Sequence, residues 1–262
     1  MTVENKKKYI MKPSKCYIFD LYGTLIDIHT DENDPKLWEI LSAFYSRFGA
    51  DYSPIEFKQA YYQYVNEELD KNRQQLGVQN VDIKLERIFL RLLKDAPNTH
   101  RVGFKFTANF YKTWTVITAN LFRELSMKHF SVYPGVYETL DKLKNSDAKL
   151  FLLSNAQSIF TVPEIEKAKL KRYFDGIYIS SDYCIAKPEP LFMKKLLSDQ
   201  NLNPEDCVMV GNDVNSDMAV AISCGVKGVL LNTNGYSEQE LNKMEEEGKF
   251  TIIRSGKIEE IL

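Results

Sequence analysis

The sequence predicts an α/β protein, a doubly wound, Rossmann-like parallel sheet interrupted by a second, all-helical domain. Three observations carry that expectation. Short apolar runs without polar alternation recur at 16–19, 149–153, 177–179, 207–210, 228–231 and 250–253, as strands buried on both faces require. Helix-like segments separate the later runs, and strand, helix, strand in repetition means a parallel sheet. From about Asp31 to Phe130 the pattern changes to long helical periodicities with no convincing strand. That stretch is domain-sized, since domains typically run from about 50 to 250 residues.

In chain order, the run at 16–19 ends in Asp20-Leu21-Tyr22-Gly23-Thr24-Leu25. The insert then opens with Leu37, Ile40, Leu41, Phe44, Tyr45 and Phe48, one apolar helix face at i, i+3, i+4, i+7 spacing. Ser53-Pro54 with Glu56 reads as an N-cap, a first-turn proline and a capping-box acid, starting a helix that carries Phe57, Tyr61, Tyr64 and Val65. Ile88, Phe89, Leu92 and Leu93 fit a third helix; Phe106, Phe110, Trp114, Ile117 and Leu121 fit a fourth. Beyond the insert, Pro134-Gly135 precedes a helix at 136–144, and the run at 149–153 ends in Ser154-Asn155. Lys187-Pro188 follows the third run and leads into a helix at 191–197, while the fourth run ends in Gly211-Asn212-Asp213-Val214-Asn215-Ser216-Asp217 before a helix at 217–223. The expected division is therefore 1–30 and 131–262 as the α/β core, with 31–130 as the helical domain. No internal repeat or low-complexity linker interrupts it.

Composition narrows the function classes. With 262 residues, 44% hydrophobic and 27% charged, the chain can bury a core and is neither disordered nor collagen-like. A net charge of -2 gives no global pull towards nucleic acid or anionic membrane. No stretch approaches the roughly 20 apolar residues of a membrane span, and the opening residues lack a signal peptide's apolar region. The expectation is a soluble, cytoplasmic protein with no nucleic-acid or membrane partner. Cys16, Cys184, Cys207 and Cys224 lie far apart with no C-x-x-C pair, so they read as reduced thiols at or near the core. Lys6-Lys7-Lys8 reads as a solvated tail and Glu245-Glu246-Glu247 as a solvated helix face.

Ligands of a parallel sheet bind outside the carboxyl ends of the strands, so the polar residues just after each apolar run are the candidates. Singly, each has a bland reading as a turn, a cap or a surface loop. Jointly and in this order they are specific. FDLYGTLID, LLSNA, AKPEP and VGNDVNSDM resemble the four motifs of the haloacid dehalogenase-like (HAD) superfamily of hydrolases, and the helical insert is similar to the α-helical cap that one large subgroup carries after its first motif. The likeness runs over nearly the whole chain, including YPGVYETLDKLK before the second motif.

The resemblance implies roles. Asp20 matches the nucleophile, whose carboxylate becomes a covalent aspartyl intermediate that water hydrolyses. Lys187 would supply a fixed positive charge beside it. Asp213 and Asp217 fall where the family places its acids, and Asp20, the Tyr22 backbone carbonyl, Asp213 and Asp217 form the implied metal set. An oxygen-only set of this kind suits Mg2+ better than a soft metal. Thr24 and Ser154 look like the hydroxyls that hold the transferring group's oxygens, with Asn155, Tyr22 and Gly23 contributing to substrate binding.

One departure matters. Family phosphatases carry a second aspartate two residues after the nucleophile, as general acid and base; here that residue is Tyr22. The pattern D-x-Y-G-T is typical of the 2-haloacid dehalogenase branch, where halide leaves without a proton. That branch is metal-free and lacks a carboxylate at position 213, and its cap bears a W-R-x-K-Q stretch, whereas this chain has Trp38-Glu39-Ile40 and its first cap arginine is Arg47. Ala186 also stands where the branch favours tyrosine. The expectation is a Mg2+-dependent phosphomonoester hydrolase acting on a small phosphorylated metabolite with a good leaving group, as a monomer or homodimer. Metal-independent 2-haloacid dehalogenation is the enzymatic alternative, and a catalytically weak binding protein of the same fold is the other. Asp27 and His29 read as hinge or turn residues, and His100 and His129 as surface or packing residues. The aromatics Tyr61, Tyr62, Tyr64, Phe106, Phe110, Tyr111 and Trp114 read as cap core. Arg73, Arg87, Arg91, Arg101 and Lys105 are unranked candidates for gripping substrate.

Overall fold

A computed structural model describes residues 14–99 and 107–262. From the first strand, β1 (Cys16–Phe19), the chain passes through β2 (Ile26–Thr30) into α1 (Pro35–Ser46), β3 (Ala50–Asp51), α2 (Pro54–Leu76), α3 (Leu85–Lys94), β4 (Asn98–Thr99) and α4 (Ala108–Ser126). It returns along β5 (Met127–Val132) to α5 (Val136–Asn145), β6 (Lys149–Ser154), α6 (Ser158–Lys167), β7 (Gly176–Ile179), α7 (Ser180–Tyr183) and α8 (Pro190–Asp199). The last elements are β8 (Cys207–Gly211), α9 (Ala219–Ser223), β9 (Lys227–Leu231), α10 (Glu238–Glu247) and β10 (Thr251–Ile253).

The six apolar runs are the six strands of one parallel sheet, ordered β10-β9-β8-β1-β6-β7. Alternate residues of each strand enter different cores, which is why the runs show no polar alternation. On one face Tyr17, Phe19, Leu150 and Leu152 pack with Val136 and Leu140 of α5 and Ile165 of α6. On the other, Cys16, Ile18, Phe151 and Leu153 pack with Phe192 and Leu196 of α8 and Val220 of α9. Chain order runs from β1 outward through β6 and β7, then restarts on the other side at β8. The carboxyl ends of β1 and β8 thus flank the switch point where such folds bind ligands. Cys16 and Cys207 are buried and register partners, while Cys184 and Cys224 are partly exposed.

The cap has a separate core. Leu37, Trp38, Leu41, Tyr45, Phe57, Tyr61, Phe89, Trp114 and Phe122 cluster there, with Phe160 of α6 stacked on Phe122 at 6.2 Å. The aromatics Tyr61 and Trp114 are buried and Tyr64 and Phe110 partly so, packed as cap core. The capping box is formed: Ser53 Oγ accepts from Glu56 N and Glu56 Oε2 from Ser53 N. Phe106, His100, Arg101, Lys105 and Lys6-Lys7-Lys8 lie outside the described residues.

The structure differs from the periodicity in four places. Ile40 and Ile117, expected on buried faces, are 44% and 48% exposed, and Trp38 fills the core side of α1 instead. The insert contains strands after all: β3 pairs with β4 inside the cap, and β5 pairs antiparallel with β2 between cap and core. β5 escapes sequence reading because Lys128, His129 and Ser131 break any apolar run, as an open two-stranded ribbon allows. α6 shows little periodicity and carries Pro163 inside it. The helix expected at 217–223 begins as one π-helical turn, Val214–Met218, and that widening turns the Asp217 carboxylate back onto its own loop.

Among the described residues no helix is long and apolar enough to cross a membrane. Burial makes a direct stability prediction for the cap. Phe89→Ala, at 0% exposure, should lower the unfolding free energy by about 3–5 kcal/mol in a urea titration. Ile117→Ala should stay within about 0.5 kcal/mol, and equal losses would contradict this packing.

Candidate active site

Each candidate side chain owes its place to a strand end. Asp20 N donates to Val210 O at 2.9 Å, extending the β1–β8 ladder by one residue and leaving the Asp20 carboxylate at the switch point. The next residues form a tight loop in which Gly23 N donates to Ile26 O and Leu25 N to Leu21 O, both at 2.8 Å. Only glycine fits at position 23, where φ is +82° and a Cβ would sit 2.1 Å from Asn212 Nδ2. The turn brings the Thr24 hydroxyl to 3.4 Å from Asp20 Oδ2 and 3.3 Å from Asn212 Oδ1. Both are longer than the ~2.5–3.0 Å of a well-made hydroxyl bond, so this proton is free to turn to a ligand.

Lys187 arrives from the loop after α7 and is 4% exposed. Its Nζ donates to Asp20 Oδ1 at 2.6 Å and to Asp217 Oδ1 at 2.7 Å. Asn155, just past β6, fixes that loop: its Nδ2 donates to Lys187 O at 2.8 Å and its Oδ1 accepts from Lys187 N at 2.7 Å. Asn155 is therefore engaged in holding Lys187, although its residue lines the pocket. Asp217 is engaged as well, since its Oδ2 accepts from Asn212 N and Asp213 N, both at 3.0 Å. Gly211 permits this contact, because a Cβ there would lie 2.3 Å from Asp217 Oδ2.

Asp20, Asn155, Lys187, Asn212 and Asp217 line a cavity of about 270 Å³ with Tyr22, Ser154, Asp213 and Asn234 in its walls, while Thr24 and Gly23 lie outside its lining. Ser154 is 1% exposed and its Oγ has no hydrogen-bond partner among the described residues. Leaving a buried hydroxyl unpaired costs roughly 1–3 kcal/mol, and a ligand oxygen in the pocket would remove that cost. Asp213 is partly exposed and accepts from Asn215 N through Oδ1 at 2.7 Å. Asn234 and Asn212 bond to each other side chain to side chain at 2.7 Å and side chain to backbone at 2.9 Å, tying the loop after β9 to the site.

The electrostatics are unbalanced. Burial raises the Asp20 pKa to about 6; Lys187 opposes this and the Asp217 charge adds to it. Burial works against the Lys187 charge, yet Asp20 and Asp217 hold its pKa above the usual lysine value. One ammonium thus faces the carboxylates of Asp20, Asp213 and Asp217 in one pocket. Among the described residues no three His, Cys, Asp or Glu side chains form a ready metal cluster. Asp217, expected among the metal ligands, has its oxygens engaged by Lys187 and by the loop amides. Asp20 and Asp213 remain as oxygen donors, and the excess negative charge fits a hard divalent cation.

The Tyr22 hydroxyl points towards α6. Its hydroxyl donates to Glu164 Oε2 and lies 3.1 Å from Thr161 Oγ1, both on α6. Arg123 of α4 grips the same carboxylate, Nε to Oε1 at 2.6 Å and Nη2 to Oε2 at 3.1 Å, with its guanidinium 5.5 Å from the Tyr22 ring centre. Burial, then the Glu164 charge, pushes the Tyr22 phenol well above its usual range. No sequence motif marks Glu164 or Arg123, which meet Tyr22 from 142 positions away and from across the cap boundary. The suggested cap cations are occupied elsewhere: Arg73 pairs with Asp70, Arg87 with Glu68, and Arg91 with Glu67 and Asp95. Asp27 pairs with His129 at 3.2 Å on the β2–β5 ribbon, where His29 and His129 are register partners. None of these three lines the pocket.

Comparison with known proteins agrees with this geometry. The family model for haloacid dehalogenase-like hydrolases matches residues 14–225. Phosphoglycolate phosphatase 1 of Pseudomonas aeruginosa is 34% identical over 106 residues, 40% of this chain and 38% of that protein. Glyceraldehyde 3-phosphate phosphatase of Pyrococcus furiosus is 26% identical over 149 residues, 57% of this chain and 62% of that one. The chain thus matches less than two thirds of the length of each of these relatives. The solved 2-haloacid dehalogenase from Pseudomonas syringae pv. Tomato DC3000 superposes with a TM-score of 0.58 at 18% identity, covering 86% of this chain and 89% of that one, a likeness of fold. With the family match running from before β1 to past α9, the chain belongs to the haloacid dehalogenase-like hydrolases.

Proposed function

We propose that this hydrolase is a Mg2+-dependent phosphomonoesterase acting through Asp20 on a small phosphorylated metabolite with a good leaving group. One observation carries the reading: Asp20, Lys187, Asp213 and the unpaired Ser154 hydroxyl share a single pocket. The phosphatase relatives support it. In the same reading, 1–30 and 131–262 form the catalytic core and 31–130 the cap, with the boundary inside the β2–β5 ribbon.

The chain's own groups define the steps. Lys187 occupies Asp20 Oδ1, which leaves Oδ2 to attack phosphorus and form the aspartyl-phosphate while the phosphorus–oxygen bond to the leaving group breaks and that oxygen departs as an anion. Ser154 and Thr24 hydroxyls and the Lys187 ammonium hold the transferring oxygens as negative charge builds on them. Asp20, Asp213 and the Tyr22 backbone carbonyl would hold Mg2+, which supplies charge neutralisation at the transferring group. Water then hydrolyses the acyl phosphate and restores Asp20.

Tyr22 sets the substrate class. Its proton is committed to Glu164 and its pKa raised, so it gives the leaving group no proton. Lacking a general acid costs typically 10²–10⁴ in rate, about 3 to 5 kcal/mol. Acyl, aryl and anomeric phosphates feel that loss least. The same tyrosine favours the second reading, metal-independent release of halide from a 2-haloalkanoate, which Asp213 in the pocket wall opposes.

Phosphate release from an aryl phosphate should require Mg2+, stop with a chelator, and fall at least about a thousandfold in Asp20→Asn. Halide release without metal from a 2-haloalkanoate would establish the second reading instead. Tyr22→Asp should raise alkyl-phosphate turnover by about 10-fold or more relative to aryl-phosphate turnover. No gain in a folded, metal-binding variant would refute this account of the tyrosine.

A further inference from the structure

The cap touches the core far from its hinge ribbon. Residues 80–83, between α2 and α3, lie against the loop that delivers Lys187. Val81 pairs antiparallel with Ile185 in an isolated bridge; Ala186 N donates to Asn80 O at 3.0 Å, and Asp82 N to Cys184 O at 3.1 Å. This strap therefore ends on the residue immediately before Lys187.

Asp82 anchors it. Its Oδ1 accepts from Ile83 N at 2.7 Å and from Gln157 Nε2 at 2.9 Å, and its Oδ2 from Ser180 Oγ at 2.5 Å. Gln157 and Ser180 belong to the core, just after β6 and β7. Gln157 also grips the cap through Oε1, which accepts from Leu85 N at 3.0 Å at the start of α3. On the cap side, buried Asn72 of α2 donates to Asp82 O at 2.7 Å. One cap carboxylate is thus bonded by two core segments that adjoin pocket residues: Gln157, two residues past Asn155, and Ser180, which opens α7 ahead of the Lys187 loop.

We infer that Asp82 is a positioning residue for hydrolysis: by seating the 80–83 strap, it fixes the backbone of the Lys187 loop so that cap docking and the charge pairing of Asp20 form one event. The inference rests on the reading of Asp20 and Lys187 as the hydrolytic pair. Lys187 must hold two carboxylates at 2.6 and 2.7 Å, which leaves little tolerance for its backbone. Asn155 clamps that backbone from the core, and the strap clamps it from the cap. Rotation of the cap away from the core would break the bridge at Ile185 and Ala186 and leave the loop held by Asn155 alone, so the pairing of the nucleophile is firmest with the cap seated. This couples closure, which excludes water, to the readiness of the attacking carboxylate.

The test uses the full chain with Asp82→Ala and Asp82→Asn, measuring kcat and KM for an aryl phosphate with Mg2+ and amide hydrogen exchange over 184–187. Asp82→Ala should exchange about tenfold faster there and lose about tenfold or more in kcat, with KM within about threefold, since displacements near 1 Å can cost 10²-fold. Asp82→Asn keeps an acceptor for Ile83 N and should recover most of both. Should Asp82→Ala fail to fold, Gln157→Ala removes a core-side donor and should move both readouts in the same direction. Unchanged exchange overturns the inference, as does faster exchange with unchanged kcat. If the parent releases no phosphate, the phosphatase reading fails, and accelerated exchange in Asp82→Ala would still place the strap as the anchor of the Lys187 loop.

Discussion

The site depends on one buried ammonium. Lys187 stands between Asp20 and Asp217, each within 2.7 Å of its Nζ, and all three are nearly removed from water. Removing one partner from a buried pair typically costs about 3–5 kcal/mol, because the other charge is left uncompensated. The arrangement therefore demands that the loops after β1, α7 and β8 arrive together. The parallel sheet meets that demand through register: Phe19 lies opposite Leu152 and Val210, so the carboxyl ends of β1, β6 and β8 fall within two residues of one another. Glycine at 23 and 211 then lets the backbone approach the side chains of Asn212 and Asp217.

What the sequence makes legible is what neighbouring residues decide. A strand buried on both faces needs an apolar run, so all six strands of the sheet could be located to within one residue at either end. The capping box at Ser53 and Glu56 is likewise local, and each of the four motifs contributes a residue to one pocket, Asp20, Ser154, Lys187 and Asp213 among them, although Thr24 and Gly23 stay outside its lining. Periodicity cannot say which side of a helix a neighbour will cover, so Ile40 and Ile117 face outward. Nor can residue type say whether a polar side chain is already engaged. Asn155 and Asp217 look like free ligating groups in the chain, yet the fold bonds them to Lys187 and to loop amides.

The partners of Tyr22 were not legible at all, and the reason is distance along the chain. Glu164 sits on a helix with weak periodicity, and Arg123 belongs to the last turn of α4, on the cap. Their bidentate pair is largely buried, at 18% and 7% side-chain exposure. A pair of this kind is weak grounds for stability, since apolar replacements are often as stable. Its geometric effect is firmer: it fixes the end of α4 against α6 and holds the Tyr22 hydroxyl away from the reacting atoms.

Position 22 and residue 187 are therefore each joined to the cap. The first is joined to the cap through Glu164 and Arg123, the second through Ala186 and the 80–83 strap. They flank Asp20, one two residues after it in the chain and the other across the pocket. A cap attached only by the β2–β5 ribbon could open without disturbing Asp20. With these two attachments, seating the cap constrains both the pocket wall at Tyr22 and the ammonium that pairs with Asp20. The tyrosine that removes an acid from the site thereby contributes to a joint between cap and core. Under the phosphatase reading proposed above, selection among substrates would rest on leaving-group quality and on fit beneath a seated cap, since the Tyr22 hydroxyl is committed to Glu164.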